Sequence, residues 1–357
     1  MWVLVTLGAV VLQAARTSMQ QRLRAQLSIT AAGFVRYFYG APIALGAVAV
    51  AVVAFGQSLE APPAVFWVTV TAAGIAQIVG TVALISAFDR RGFAVGTVYS
   101  KTEVLQVAVF SAVVLHEPLR VWGWVGALVC VVGVGWLALA RRPGDTAGSV
   151  DPTSAVDTAG SVDAAGSVDT AGSVDTTSAA DANGSVDAAG SVDATGSVDT
   201  TSAAGARGVF RLDAALALGL LAGAGFALAS VWIRASSKSL GDHPAVFRAL
   251  VTLAAMNTIQ VLMNGAQMLL TKPDDVIAVA RTWRSSAVVG VLSVCGSAGW
   301  AIAVTLENAA KVRALGQVEL LLTFAISHRF LGERHRRSEF AASALTVAGV
   351  AAVLAFG

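Results

Sequence analysis

Apolar runs of roughly 20 residues recur from one end of this sequence to the other. Each is long enough for a helix to cross the ~30 Å of hydrocarbon in a bilayer. In hydrocarbon no water meets an open backbone group, so such a chain is restricted to helices or a closed barrel. The apolar/polar alternation of a membrane barrel is absent. The reading is an all-α polytopic membrane protein. Only 13% of the 357 residues are charged, against about 25% in soluble domains.

Ten spans are expected. Five lie at 2–22, 28–55, 64–86, 94–115 and 121–140, and five at 212–234, 244–270, 285–306, 311–331 and 339–356. Asp89-Arg90-Arg91, Glu117-Pro118 and Lys272-Pro273-Asp274-Asp275 mark loops between them. Between the two sets runs a hexapeptide array, beginning TAGSVD at 146–151, with an Asp at every sixth position from Asp145 to Asp199. Each repeat offers one Val or Ala, too little apolar area to offset the entropy of ordering the chain. The segment 143–206 is therefore expected to be a disordered acidic linker between a first unit, 1–142, and a second, 207–357. It carries ten Asp and no basic residue, leaving 24 basic against 12 acidic residues elsewhere. That surplus suits a protein facing anionic lipid, and nothing in the sequence calls for a nucleic-acid partner.

The halves resemble each other. Glu103 and Glu117 stand fourteen residues apart, as do Glu319 and Glu333, and the spacing of 216 that relates these pairs also lays Gly133 on Gly349. Each half has an odd number of spans, so a shared fold requires opposite insertion: ten transmembrane helices as two inverted five-helix repeats, with a site near the midplane. The passages SKTEVLQVAVFSAVVLHEPLRVWGWVGALVCVVGVGWLAL and ALGQVELLLTFAISHRFLGERHRRSEFAASALTVAGVAAVL each end a helix in a loop glutamate before a Gly-containing last helix. In these the chain resembles the drug/metabolite transporter superfamily in its EamA-like ten-helix form. The long hexapeptide linker departs from the usual short connection. The resemblance implies a secondary transporter of the cytoplasmic membrane that moves a small metabolite or drug, most often by export in exchange for protons.

Carboxylates inside apolar runs are costly, by roughly 2.5–3.5 kcal/mol on insertion scales, and stay where a partner or a watery cavity receives them. Burial disfavours the charged form of a carboxylate, so Glu103 is the first proton-coupling candidate. Glu319, its repeat mate, is the second; its alternative role is to pair Arg248 or Arg313. Tyr99, Glu103 and Gln106 share one helical face. Lys101, two residues from Glu103, points elsewhere, a candidate to neutralise a carboxylate on another helix or to bind an anionic group of the substrate, with snorkelling to the interface as its other role; its repeat position is Gln317. Arg36 and Arg248, each early in the second span of its half, are permanently charged donors suited to a substrate carboxylate or phosphate; anchoring at the interface suits Arg248 equally. Asn257, Gln260, Asn264 and Gln267 form one polar stripe, as do Gln13, Thr17, Gln20 and Arg24. Such stripes line a cavity or join helices by hydrogen bonds. Trp300 is a candidate for the cavity wall or an interfacial anchor. Glu117 and Glu333 read as turn-forming residues.

Cys130 and Cys295 lie in apolar runs without metal-ligand spacing, and no catalytic motif is present, so neither a cofactor, a metal nor an enzymatic activity is expected. Two rival readings stand beside the coupled transporter: a non-transporting membrane component recruited through the linker, and an uncoupled uniporter. Oligomeric state is not legible. Loops after odd-numbered spans hold 15 basic residues and those after even-numbered spans five, Arg120, Arg234, Lys238, Lys311 and Arg313. The charge bias thus places both termini outside, whereas the resemblance implies termini inside.

Overall fold

The computed structural model describes residues 1–23, 27–58, 60–91, 102–140, 214–319 and 337–357. All of them belong to one compact unit, Met1–Ser149 with Leu212–Gly357. The expected linker, Tyr99, Lys101 and Glu333 lie outside the described residues, as does most of the expected ninth span.

Among the described residues the secondary structure is helical, without strands. The helices are α1 (Trp2–Leu23), α2 (Ile29–Phe38), α3 (Gly40–Phe55), α4 (Ala64–Arg91), α5 (Glu103–Val114), α6 (Val121–Ala140), α7 (Ala214–Ser239), α8 (Ala245–Thr271), α9 (Pro273–Arg281), α10 (Trp283–Leu306), α11 (Ala309–Gly316) and α12 (Arg337–Phe356). Six stretches are long and apolar enough to cross a bilayer: Thr30–Phe55, Ala64–Ala87, Leu216–Ser239, Ala245–Thr271, Trp283–Leu306 and Ser338–Phe356. Trp2–Arg16, Glu103–Val114 and Val121–Trp136 are shorter apolar helices.

Local chemistry sets the ends. Ser28 opens α2 by accepting from the Ala31 amide at 3.2 Å. Pro42, three residues into α3, has no amide hydrogen to return to Phe38, and the helix breaks at Tyr39 between α2 and α3. Gly56 ends α3 in the left-handed conformation. The short α9 was not expected from the sequence. Pro273 begins it, Asp274 and Asp275 occupy its first turn and Arg281 its last, an arrangement that complements the helix dipole. Hydroxyls within the apolar helices bond back to their own turn, as Thr69 does to the Val65 carbonyl, Ser230 to Phe226 and Thr346 to Ala342. Each is thereby satisfied without water.

The outer surface is apolar. Val53, Leu270, Trp122 and Val68 are among its exposed side chains, as expected where lipid tails are the solvent. Inside, small residues let backbones approach: Ala31, Ala73, Ala108, Ala127, Ala222 and Ala303 are fully buried. The closest pairings are α4 with α7, α6 with α12, and α1 with α10.

These pairings repeat at the 216-residue spacing. Gly80 of α4 meets Gly225 of α7, and at the same spacing Gly296 of α10 meets Ala9 of α1. Gly74 receives α8 through Met256 and Gln260, and Gly290 receives Tyr39. Across α6 and α12 the match is reciprocal. Gly133 is covered by Thr346 and Gly349 by Cys130, and these four positions exchange under the spacing. The α2–α3 stretch, Ile29–Phe55, and α8, Ala245–Thr271, both begin and end 216 residues apart.

A Cβ at Gly225 would lie 2.6 Å from the Gly80 Cα and 2.7 Å from the Ala76 carbonyl oxygen. Gly135 has nothing within 4 Å of such a Cβ. Gly225→Leu is therefore expected to destabilise the purified protein by about 1–3 kcal/mol or more, and Gly135→Leu to be near neutral. Thermal unfolding in detergent compares the two. Equal midpoints would mean that the α4–α7 contact is not the close seam described.

Candidate functional site

A charged cluster lies inside the apolar bundle, built from α1, α2, α5, α10 and the region around α11. Arg313 is its centre. It sits one turn into α11, whose start is fixed by Asn308 accepting from the Ala310 amide at 2.8 Å. The Arg313 guanidinium faces Glu103 at 3.6 Å. It donates to the Ser230 hydroxyl at 2.8 Å and stacks 4.5 Å above the Trp300 ring. The stack needs Gly316, where any side chain would collide with that ring.

Trp300 continues the network. Its indole N–H donates to the Gln13 Oε1 at 2.9 Å, and the Gln13 amide reaches Glu319 at 3.5 Å. Arg16, one turn along α1, lies within electrostatic reach of Glu319, Arg36, Arg313 and Tyr37. Arg36 is buried on α2, donates to the Thr81 hydroxyl at 3.2 Å and lies 5.5 Å from the Tyr37 ring. Among the described residues the Nε atoms of Arg16 and Arg36 and the Tyr37 hydroxyl are buried without a hydrogen-bond partner. A cavity of about 100 Å³ opens beside this group. Its walls include Tyr37 from α2, Thr81 from α4, and Asn264 and Gln267 from α8.

The structure thus brings together Glu103, Glu319, Arg36 and Trp300 from the sequence candidates, with Asn264 at the adjoining cavity. It adds Arg16, Arg313, Gln13 and Tyr37. Four described candidates stand elsewhere. Gln106 donates to the Leu220 carbonyl at 3.3 Å, joining α5 to α7. Gln260 donates to the Gly74 carbonyl at 3.1 Å and to Gln77 at 2.9 Å, joining α8 to α4. Arg248 turns to the Gly241 carbonyl at 3.1 Å, at the end of the bundle. Asn257 is buried beside Gly40, where α8 crosses the start of α3. Tyr99 and Lys101 are outside the described residues. Among those described, no group of His, Cys, Asp and Glu has a metal-binding arrangement.

A second ionic group closes one end of the bundle. Glu117, in the turn after α5, accepts from Arg234 of α7 at 2.8 Å and also pairs with Lys238. The turn itself holds His116 in the left-handed conformation, while the Glu117 amide bonds back to the Ser111 carbonyl at 3.1 Å. The same Arg234 donates to the Val304 and Glu307 carbonyls, each at 2.6 Å, covering the open carbonyls at the end of α10. Asn308 reaches the Glu117 carbonyl at 3.4 Å. Burial pushes the Glu117 carboxyl up, but the bonds from Lys238 and Arg234 outweigh it and hold the group below its ordinary value. Glu117 therefore stays charged near neutrality.

Comparison with known proteins adds the family. No curated protein matches the sequence. A solved structure described only as the crystal structure of a protein aligns with a TM-score of 0.59 at 14% identity, covering 99% of this chain and 96% of its own. At that identity the likeness is one of fold. Residues 1–139, the part that supplies Gln13, Arg16, Arg36, Glu103 and Glu117, match the EamA-like transporter family. That first part of the chain is similar to a family of membrane transporters, in keeping with the apolar helices of the fold and with the drug/metabolite transporter superfamily.

Proposed function

We propose that this protein is a secondary transporter that moves a small metabolite by alternating access, with the Arg16–Arg36–Arg313–Glu103–Glu319 cluster as its binding and coupling site. The observation that carries this reading is the cluster itself. Intramembrane ionisable groups are costly and default to function, and here five of them from both halves converge, with the neighbouring Tyr37 and Thr81 lining a cavity. Two inverted five-helix repeats, 1–142 and 207–357, joined by a linker at 143–206, are the architecture that accounts best for contacts repeating at a spacing of 216. The seam between α6 and α12 would then lie on the pseudo-twofold axis.

Coupling follows from competition. Arg313 and a proton are rivals for Glu103: while Glu103 is charged it holds Arg313, and when it takes a proton it releases it. Glu319, reached by Gln13 and within reach of Arg16, is the second carboxylate in the same field. Export driven by the proton gradient of the cytoplasmic membrane is the mode proposed. In proton-driven efflux across a panel of amino acids, amines and toxic compounds, Glu103→Gln is expected to lower transport by about tenfold or more, the equivalent of one lost charged interaction. Glu319→Gln is expected to weaken the dependence on the gradient. Normal efflux with unchanged pH dependence in both variants would remove the cluster from the mechanism.

The Glu117–Arg234–Lys238 group is proposed as the closure of one access path. Glu117 is held below its ordinary value, so its contribution is present at neutral pH and lost as pH falls through that lowered value. Glu117→Gln is expected to cost about 1–3 kcal/mol at pH 7, with the difference from wild type shrinking in acid as wild type loses the same charge. Melting midpoints across pH test this; a constant difference down to strong acid would contradict it.

Orientation follows from charge. Arg313 is internal and Arg234 is engaged with carbonyls, so the basic count of the even-numbered loops facing water is smaller than the sequence suggests. Positive-inside bias then places odd-numbered loops in the cytoplasm and both termini outside. A periplasm-dependent reporter fused after Gly357 is expected to be active, and a silent one would invert the assignment.

A further inference from the structure

We infer that the substrate presents a single negative oxyanion, most simply a carboxylate, to Arg36, Tyr37 and Thr81. The inference rests on the transporter reading and names the chemical class of its cargo. Charge is the first ground. The cluster's described members carry three guanidinium groups, on Arg16, Arg36 and Arg313, against two carboxylates, on Glu103 and Glu319. One positive charge is left in surplus, in surroundings where an uncompensated ion is expensive. Arg313 is spent on Glu103, Ser230 and Trp300. The surplus therefore falls on the Arg16–Arg36 side.

Hydrogen bonding is the second ground, and it is independent of the charge sum. Arg36 and Tyr37 are each more than nine-tenths buried. Among the described residues the Arg36 Nε and the Tyr37 hydroxyl have no partner. Both are donors. Tyr37 lines the cavity of about 100 Å³, and so does Thr81, the residue that fixes the Arg36 guanidinium. An oxyanion placed there would accept from the Tyr37 hydroxyl, with the Arg36 guanidinium held beside it at Thr81. The cavity of about 100 Å³ is several times the space one water needs, enough for a carboxylate and its first carbons. The amides of Asn264 and Gln267 face the same space from α8 and would contact the remainder of the substrate, beyond its headgroup.

The test is binding, separate from transport. The full-length protein in nanodiscs is melted with two matched sets of probes: benzoate, benzamide and benzylamine, and butyrate, butyramide and butylamine, with inorganic phosphate as the other oxyanion. At saturating concentration at least one carboxylate is expected to raise the unfolding midpoint by about 3 °C, with its amide and amine ineffective. The shift is expected to vanish in Arg36→Gln and in Tyr37→Phe, the milder change should Arg36→Gln fold poorly, and to persist in Arg248→Gln. Phosphate acting in place of the carboxylates would retain the oxyanion and overturn the carboxylate. Equal or better stabilisation by the amines or amides, persistence in both site variants, or no shift with any probe would overturn the inference. None of these outcomes touches the transporter reading, which falls only if no compound is translocated in a cluster-dependent way.

Discussion

Arg313 is the residue on which the interior depends. A guanidinium cannot be left to lipid, and its charge cannot be removed by titration. Its position fixes Glu103 on α5, Ser230 on α7 and the Trp300 ring on α10, and through Trp300 it orients Gln13 on α1. Four helices are thus held by one cation. The same necessity operates at the bundle's end, where Arg234 serves the last carbonyls of α10 and the Glu117 carboxylate together. In both places an arginine of the second half is paired with a glutamate of the first.

The packing and the chemistry follow different rules. Glycine and small-residue contacts repeat at a spacing of 216, since two similar halves solve the same problem of backbone approach in the same way. The charged residues of the Arg313 cluster, its two glutamates excepted, do not repeat. At that spacing Arg16 stands opposite Trp232, Arg36 opposite Thr252, Arg313 opposite Thr97 and Trp300 opposite Leu84. Only Glu103 and Glu319 correspond. A near-symmetric frame thus carries an asymmetric site, which suits a cargo with two unlike ends.

Much of the frame was legible in the sequence because hydrocarbon leaves few options. Apolar runs bounded by Asp89-Arg90-Arg91 or Lys272-Pro273 could be little else than helices. The break at Tyr39 was less visible, since Pro42 lies inside an unbroken apolar run. At the site, the carboxylates announced themselves by standing in apolar surroundings, but their partners did not. Arg313 counted among the loop residues and as a possible partner of Glu319, whereas α11 begins at Ala309 and brings its side chain to Glu103. Arg16 was hidden among polar neighbours at the end of α1. Arg36 and Arg248 looked like mates from local context, yet the spacing puts Arg248 opposite Ala32, and the two have unrelated surroundings. The polar stripe of α8 divided: Gln260 joins helices, while Asn264 and Gln267 face the cavity. Sequence periodicity locates a face but not the groups that lie across it.

The seam between α6 and α12 bears on ancestry. Gly133 lies under Thr346 and Gly349 under Cys130, so each helix offers the other the same surface it receives. A surface of that kind is self-complementary. On the inverted-repeat architecture proposed above, one ancestral half, inserted in the membrane in both directions, would have met its own copy there before any fusion joined the two. The hexapeptide segment would then be a late tether, added between parts that already fitted.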